Sequence, residues 1–141
     1  WGLPQTSAFQ GWLSSISRMA SNRSDAVRRR VISAARIVYG QLGWGWREEV
    51  YREALAVELR PLHCSVEVAM PVMYKGNPLS HVSVRWDMLV ENCILVELKA
   101  VKSRLPAAAT RQAMRYSTNF PHYLTLAINF PDRPDTQVEV R

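Results

Sequence analysis

Cysteine is scarce in this chain, with only two among its 141 residues. Cys64 and Cys93 do not have the spacing of a metal site, so we expect both to be reduced core thiols of an intracellular protein. A count of two also excludes an iron–sulfur cluster, which needs four cysteine ligands.

Several functional patterns are missing as well. No apolar run approaches the length of a membrane span, so we expect no membrane partner. The three histidines show no metal-ligand spacing. The chain contains no glycine-rich phosphate loop, no dinucleotide-binding fingerprint and no Ser-His-Asp arrangement, and the corresponding classes of enzyme have no support in the sequence.

The chain does contain enough apolar material for a folded domain. Apolar residues make up 48% of it, which argues against disorder. A length of 141 residues suits one domain with one substantial core rather than two.

Positive charge is concentrated in the first third of the chain. Residues 1–47 hold seven arginines and one aspartate, a balance of +6, whereas charges in residues 48–141 cancel. Three interpretations stay open. Arg28, Arg29 and Arg30 could belong to an arm that binds nucleic-acid phosphates, the segment could be the remnant of a mitochondrial targeting sequence, or the helix face could simply be solvated.

The charge pattern also suggests a division of the chain. We expect a basic, irregular N-terminal extension at residues 1–23 and a folded domain at residues 24–141. A chain that begins at Trp1 is expected to be processed or partial.

Hydrophobic periodicity predicts an α/β fold with the order ααβββαβ and a sheet of mixed direction. Ser24 is the predicted N-cap of the first helix, which would begin at Asp25. The predicted helices cover about residues 25–40, 46–59 and 106–118, and the predicted strands cover 64–74, 81–90, 93–99 and 123–129, with a short last strand near 138–140.

The register of the second and third strands can be predicted from two requirements. A pairing that places Asp87 opposite Glu97 also places Trp86 opposite Leu98 and Met88 opposite Val96, so the acidic face and the apolar face both become continuous. This register needs a loop with an odd number of residues, and its centre at Asn92 suits left-handed backbone.

A D-x₉-E-x-K pattern in this register predicts a magnesium site. Glu97 and Lys99 share a face because residues i and i+2 of a strand point the same way. Mg²⁺ binds one or two carboxylates and completes its shell with water and phosphate. Asp87 and Glu97 are therefore candidate ligands for Mg²⁺ or Mn²⁺, and Lys99 could position or activate a water nucleophile.

Further motifs flank this pattern in a fixed order. Gly45-Trp46-Arg47-Glu48-Glu49-Val50-Tyr51 precedes it, and Gln112-Ala113-Met114-Arg115-Tyr116 and Ile128-Asn129-Phe130 follow it. The series resembles the GxxExxY family of the PD-(D/E)XK nuclease superfamily, of the RecB and lambda-exonuclease type, over about residues 32–130.

The resemblance implies a restriction-endonuclease-like core, a mixed sheet flanked by helices, and metal-dependent nuclease chemistry. It implies that Glu48 is a helix-borne catalytic carboxylate that shares in metal binding. It also implies that Gln112 and Tyr116 support the site or touch substrate. Bulky Trp44, Trp46 and Trp86 depart from the family pattern.

A second group of cations follows the E-x-K strand and could contact phosphates or form a solvated face. Its members are Lys102, Arg104, Arg111 and Arg115. The expected function is a metal-dependent nuclease acting on DNA or RNA. The alternative is a nuclease-fold subunit with an idle site inside a larger ribonucleoprotein, such as the mitochondrial ribosome or its assembly machinery, in contact with other proteins.

Overall fold

The structure is a computed structural model that describes residue 2 and residues 6–141. Three helices and five strands follow one another along the chain. They are α1 (Ser7–Leu42), α2 (Glu48–Glu58), β1 (Cys64–Tyr74), β2 (Asn77–Val90), β3 (Ile94–Lys99), α3 (Ala107–Asn119), β4 (Leu124–Asn129) and β5 (Glu139–Val140). The predicted order is confirmed.

The five strands form one mixed sheet in the order β1-β2-β3-β4-β5. Neighbouring strands are antiparallel except β3 and β4, which are parallel and are joined through α3. Helices α1 and α2 pack on one face, and α3 packs on the other. The predicted α/β core with helices flanking a mixed sheet is therefore confirmed.

Two hydrophobic clusters lie on the two faces of the sheet. The larger one joins α1 and α2 to the sheet, and Tyr51 stacks on Phe130 there, with 4.4 Å between ring centroids and planes 2° apart. The smaller one places Tyr116 of α3 against Trp86 and Leu95. Tyr51 is fully buried and packs in the larger cluster.

Helix α1 is longer than predicted, and the prediction of a start at Asp25 is wrong. The helix begins at Ser7, where the Thr6 hydroxyl accepts the Phe9 N–H at 3.1 Å. Ser24 lies inside the helix, because no proline interrupts residues 7–42 and serine tolerates a helix interior at modest cost. Within residues 6–141, no helix combines the length and apolar character needed to cross a membrane.

The predicted register of the β2–β3 hairpin is confirmed at Met88 opposite Val96 and at Val90 opposite Ile94. The connection is the predicted odd loop. Glu91 and Asn92 adopt left-handed φ values of 50° and 52°.

One part of the predicted register is wrong, namely the face of the sheet on which Trp86 lies. Trp86 was expected on the same face as Met88, but Trp86 packs under α3 whereas Met88 packs under α1 and α2. The strands lose regular pairing between these two residues. Glu67, the β1 residue facing Asp87, has a left-handed φ of 52°, and this pair is missing from the ladder. Such an interruption redirects the side chains that follow it.

Candidate active site

Asp87 lies where β2 loses regular pairing with both of its neighbours. The β2–β3 ladder runs from Val90 to Met88 and stops there. Beyond it, the Asp87 carboxylate accepts the backbone N–H of Leu98 through Oδ2 at 2.6 Å. Oδ1 takes no hydrogen bond from any residue that the structure describes. One oxygen is thus fixed and the other is available to a ligand.

Glu97 and Lys99 lie at the C-terminal end of β3, beside this break. Their side chains form an ion pair, with Lys99 Nζ 3.6 Å from Glu97 Oε1. The Glu97 side chain is only 16% exposed and that of Lys99 is 30% exposed. Both residues pair with β4, so the strand that carries them is held from its other side.

The electrostatic surroundings of Glu97 show which charged groups converge on this site. Its pKa is raised from 4.5 to about 7, first by burial and then by the Asp87 carboxylate. Lys99 opposes this increase through its charge and hydrogen bond, and Glu48 adds to it. The structure therefore places Asp87, Glu97 and Lys99 together, and Glu48 lies close enough for its charge to raise the pKa of Glu97.

Glu48 reaches this group from the first residue of α2. Tyr51 anchors the start of the helix, since its hydroxyl donates to Gly43 O at 2.6 Å and accepts the Trp46 N–H at 3.4 Å. Glu49 lies elsewhere and pairs with Arg47 at 3.2 Å. The two neighbouring glutamates thus have different surroundings.

Tyr116 and Gln112 do not join the carboxylates through any hydrogen bond among the described residues. Tyr116 is buried, meets Trp86 edge-on at 5.4 Å between centroids and leaves its hydroxyl without a partner in the described part of the chain. Burial raises the pKa of Tyr116. Gln112 is half-buried and lines a groove of about 430 Å³ between α3 and the β1–β2 hairpin.

The predicted phosphate-binding cations differ in their contacts. Arg30 donates to Glu58 O at 2.7 Å and so joins α1 to the end of α2. Arg28 and Arg29 are exposed. Within residues 6–141, no acidic side chain forms an ion pair with either of them or with the exposed group after β3, comprising Lys102, Arg104, Arg111 and Arg115.

The carboxylate group has the donor chemistry of a metal site. In the part of the chain that the structure describes, no three His, Cys, Asp or Glu side chains are arranged to hold a metal ion unaided. Mg²⁺ does not require such a cage, because it binds through one or two carboxylates plus water and phosphate. Asp87 and Glu97 supply hard oxygen donors, and a cation would relieve their mutual repulsion. These residues fit Mg²⁺ or Mn²⁺.

The sequence pattern assigns no role to Asn129 beyond its place in the Ile128-Asn129-Phe130 motif. It is the only polar residue fully buried among those described, and its amide accepts the Val101 N–H at 3.0 Å and donates to Val101 O and Ser103 O. These bonds fix the loop that follows Lys99. A polar residue at the end of the apolar β4 sequence is the available signal.

Comparisons with known proteins agree with this geometry. The sequence model of the PD-(D/E)XK nuclease superfamily matches residues 25–141, most of the chain and all elements from the buried half of α1 onward. No curated protein and no solved structure matches significantly. With this match and the Asp87, Glu97 and Lys99 arrangement, the chain belongs to the PD-(D/E)XK nuclease superfamily.

Proposed function

We propose that this domain hydrolyses phosphodiester bonds in DNA or RNA with the help of a divalent cation. The observation that carries the proposal is the environment of Glu97, which is poor in solvent and surrounded by Asp87, Glu48 and Lys99. Concentrating carboxylates is costly unless a cation or a proton neutralises them, and such clusters are typical of functional sites.

In this proposal Asp87 and Glu97 would hold Mg²⁺ or Mn²⁺, and Glu48 of α2 would add negative charge beside them. The cation supplies Lewis-acid polarisation of the phosphoryl oxygen. The protein's part is orientation. The Leu98 N–H fixes the Asp87 carboxylate through Oδ2, and the pairing of β3 with β4 fixes the strand that carries Glu97.

Lys99 acts on the attacking water. Its ammonium group has three donors and lies 3.6 Å from Glu97 Oε1. These donors can orient a water and stabilise negative charge that develops near the phosphate.

The groove between α3 and the β1–β2 hairpin is the proposed path of the substrate. Gln112 and Arg115 line it, and exposed cations without ion-pair partners among the described residues lie on the same helix and on the preceding loop. Gln112 would contact the substrate there, and Lys102, Arg104, Arg111 and Arg115 would contact phosphates. Tyr116 would act as a positioning residue, because it supports Trp86, the neighbour of Asp87.

Within the superfamily, we assign the chain to the GxxExxY family of the RecB and lambda-exonuclease type. The spacing of Gly45, Glu48 and Tyr51 supports this assignment. Each of these positions has a distinct part in the structure, since Gly45 has a φ of 95°, Glu48 helps to raise the pKa of Glu97 and Tyr51 anchors the start of α2.

The direct test is cleavage of labelled single-stranded and double-stranded DNA and RNA with Mg²⁺, Mn²⁺ or EDTA. Cleavage should require the metal and should be lost in Asp87→Asn, while Asp135→Asn, which changes an exposed loop carboxylate, should cleave like the wild type. Metal-independent cleavage, or equal cleavage by both variants, would contradict the proposal.

A second candidate function is a binding role within a ribonucleoprotein, with the site idle. The first turns of α1 favour it, since Trp12, Ile16 and Met19 are 57%, 45% and 71% exposed and could dock on a partner. This alternative predicts nucleic-acid binding without cleavage under all metal conditions. The same assay, read for both binding and cleavage, separates the two.

A further inference from the structure

Two tryptophans are exposed on the loop that leads into α2. Trp44 is 53% exposed and Trp46 is 50% exposed. Indole rings are large and mainly apolar, and a tryptophan is usually highly buried on average. Two half-exposed indoles separated only by Gly45 therefore call for an explanation other than core packing.

The loop that presents them is held firmly. The Trp46 indole N–H donates to Leu42 O at 2.9 Å, and the Gly43 N–H donates to Tyr39 O at 2.8 Å. The Tyr51 hydroxyl joins Gly43 O to the Trp46 N–H. These bonds connect the loop to the ends of both helices. Because the loop is already ordered, binding a ligand on it would cost little further conformational entropy.

Glycine makes this compact loop possible. Gly43 and Gly45 have φ values of 73° and 95°, which other residues rarely adopt. The chain can therefore turn sharply between the end of α1 and Glu48 while both indoles remain at the surface. Trp46 is two residues before Glu48, the α2 carboxylate that raises the pKa of Glu97.

We infer that Trp44 and Trp46 form a stacking platform for unpaired bases of single-stranded nucleic acid next to the carboxylate group. The inference rests on the proposed function for its class of ligand and adds a strand preference to it. Trp44 and Trp46 lie at the end of the N-terminal segment 1–47, which carries the whole net charge of +6, and directly before Glu48, so this part of the chain combines positive charge for phosphates with indole rings for bases.

Stacking on an indole requires a base with a free face. In a duplex both faces of each internal base are covered by neighbours, whereas a single strand or a frayed end exposes them. The platform therefore favours single strands. It has little sequence preference, because every base has a π face.

The test is equilibrium binding of the full chain to a fluorescein-labelled single-stranded oligonucleotide and to a blunt duplex of the same sequence. It is done in EDTA, so that cleavage plays no part. Trp44→Ala should weaken single-strand binding about tenfold and leave duplex binding unchanged. Trp44→Phe, which keeps an aromatic face, should restore most of the affinity.

The matched control is Trp12→Ala, which removes an indole of similar exposure, 57%, from the first turns of α1. It should bind like the wild type. Trp44 is the informative position because it donates no hydrogen bond among the described residues, so its removal leaves the anchored loop intact. Circular dichroism should confirm an unchanged fold.

Equal single-strand binding by the wild type and Trp44→Ala would overturn the inference, as would an equal loss on duplex or the absence of measurable binding. Because no metal is present, this result is independent of the cleavage assay. A chain that binds through Trp44 but never cleaves would refute the proposed nuclease function and leave the platform standing.

Discussion

The carboxylate of Asp87 accepts the backbone N–H of Leu98 across the point where β2 and β3 stop pairing. A side chain thus takes the place of a backbone acceptor and satisfies an N–H that would otherwise lose its ladder partner. The same hydrogen bond holds Asp87 within electrostatic reach of Glu97, so it serves both the sheet and the carboxylate group.

Two substitutions at Asp87 should separate these effects. Asp87→Asn keeps an oxygen that can accept the Leu98 N–H, so its free energy of unfolding should stay within about 1 kcal/mol of the wild type, although metal binding weakens. Asp87→Ala should be destabilised by about 1–3 kcal/mol, because it leaves a partly buried N–H without a partner. Denaturant unfolding and Mg²⁺ calorimetry measure the two quantities. Equal stability of both variants would show that the hydrogen bond contributes nothing.

Glu48 and Glu49 provide a matched pair. Glu48→Gln should lower metal affinity and cleavage by at least about tenfold and should also lower the pKa of Glu97, since Glu48 raises it. Glu49→Gln should change neither, because Glu49 pairs with Arg47 at the exposed surface. A larger effect from Glu49→Gln would mean that the motif has been aligned one residue out.

Lys99→Ala should reduce cleavage by about 10²- to 10⁴-fold while the protein still folds and binds metal. A second readout concerns pH. Since Lys99 lowers the pKa of Glu97, its removal should raise that pKa above about 7 and move the midpoint of pH-dependent Mg²⁺ binding to higher pH than in the wild type. Lys75→Ala, in the exposed turn between β1 and β2, is the control. An unchanged midpoint would mean that Lys99 does not influence Glu97.

Glu97 should make the metal-free protein less stable as pH rises. Between about pH 4.5 and 7 the unfolded chain loses the Glu97 proton while the folded chain keeps it, so the folded state is increasingly disfavoured over that range. Glu97→Gln should therefore gain stability relative to the wild type from pH 4.5 upward and hold a constant advantage above pH 7. Denaturation in EDTA at about pH 4.5, 6 and 8 measures it. A difference that is independent of pH would show that the Glu97 pKa is not raised.

The three consecutive arginines of α1, Arg28, Arg29 and Arg30, should divide into two groups. Arg28→Gln with Arg29→Gln should weaken nucleic-acid binding and reduce the salt slope by about one for each phosphate that is no longer bound, with little effect on folding. Arg30→Gln should instead lower stability by about 1–3 kcal/mol, because Arg30 donates to Glu58 O. Salt-dependent binding and thermal unfolding distinguish these outcomes. Loss of binding in Arg30→Gln alone would reverse the assignment.

The hairpin register could be predicted from sequence because two independent requirements selected the same pairing. Continuous apolar burial required Met88 opposite Val96, and grouping of the carboxylates required Asp87 beside Glu97. A loop centred on Asn92 satisfied both, and the structure confirms the loop and the Met88 pairing.

Two features could not be predicted by the same means. Trp86 and Met88 lie on opposite faces of the sheet because regular pairing is interrupted at Glu67, which has left-handed backbone. No sequence pattern predicts that conformation for a glutamate. The start of α1 was misplaced because Ser24 is a good N-cap in isolation. Local capping preference does not reveal that helical residues precede it and that Thr6 supplies the cap.

Helix α1 is continuous and about 54 Å long, so the side chains at its two ends keep a fixed angle to each other about the helix axis. One helix axis carries both the exposed side chains of Trp12 and Met19 and the buried side chains of Val27 and Val31. The angle between the two groups therefore depends only on the number of residues that separate them. Each inserted or deleted residue would rotate one group against the other by about 100°. A partner that binds the first turns of α1 would therefore have a defined orientation relative to the carboxylate group.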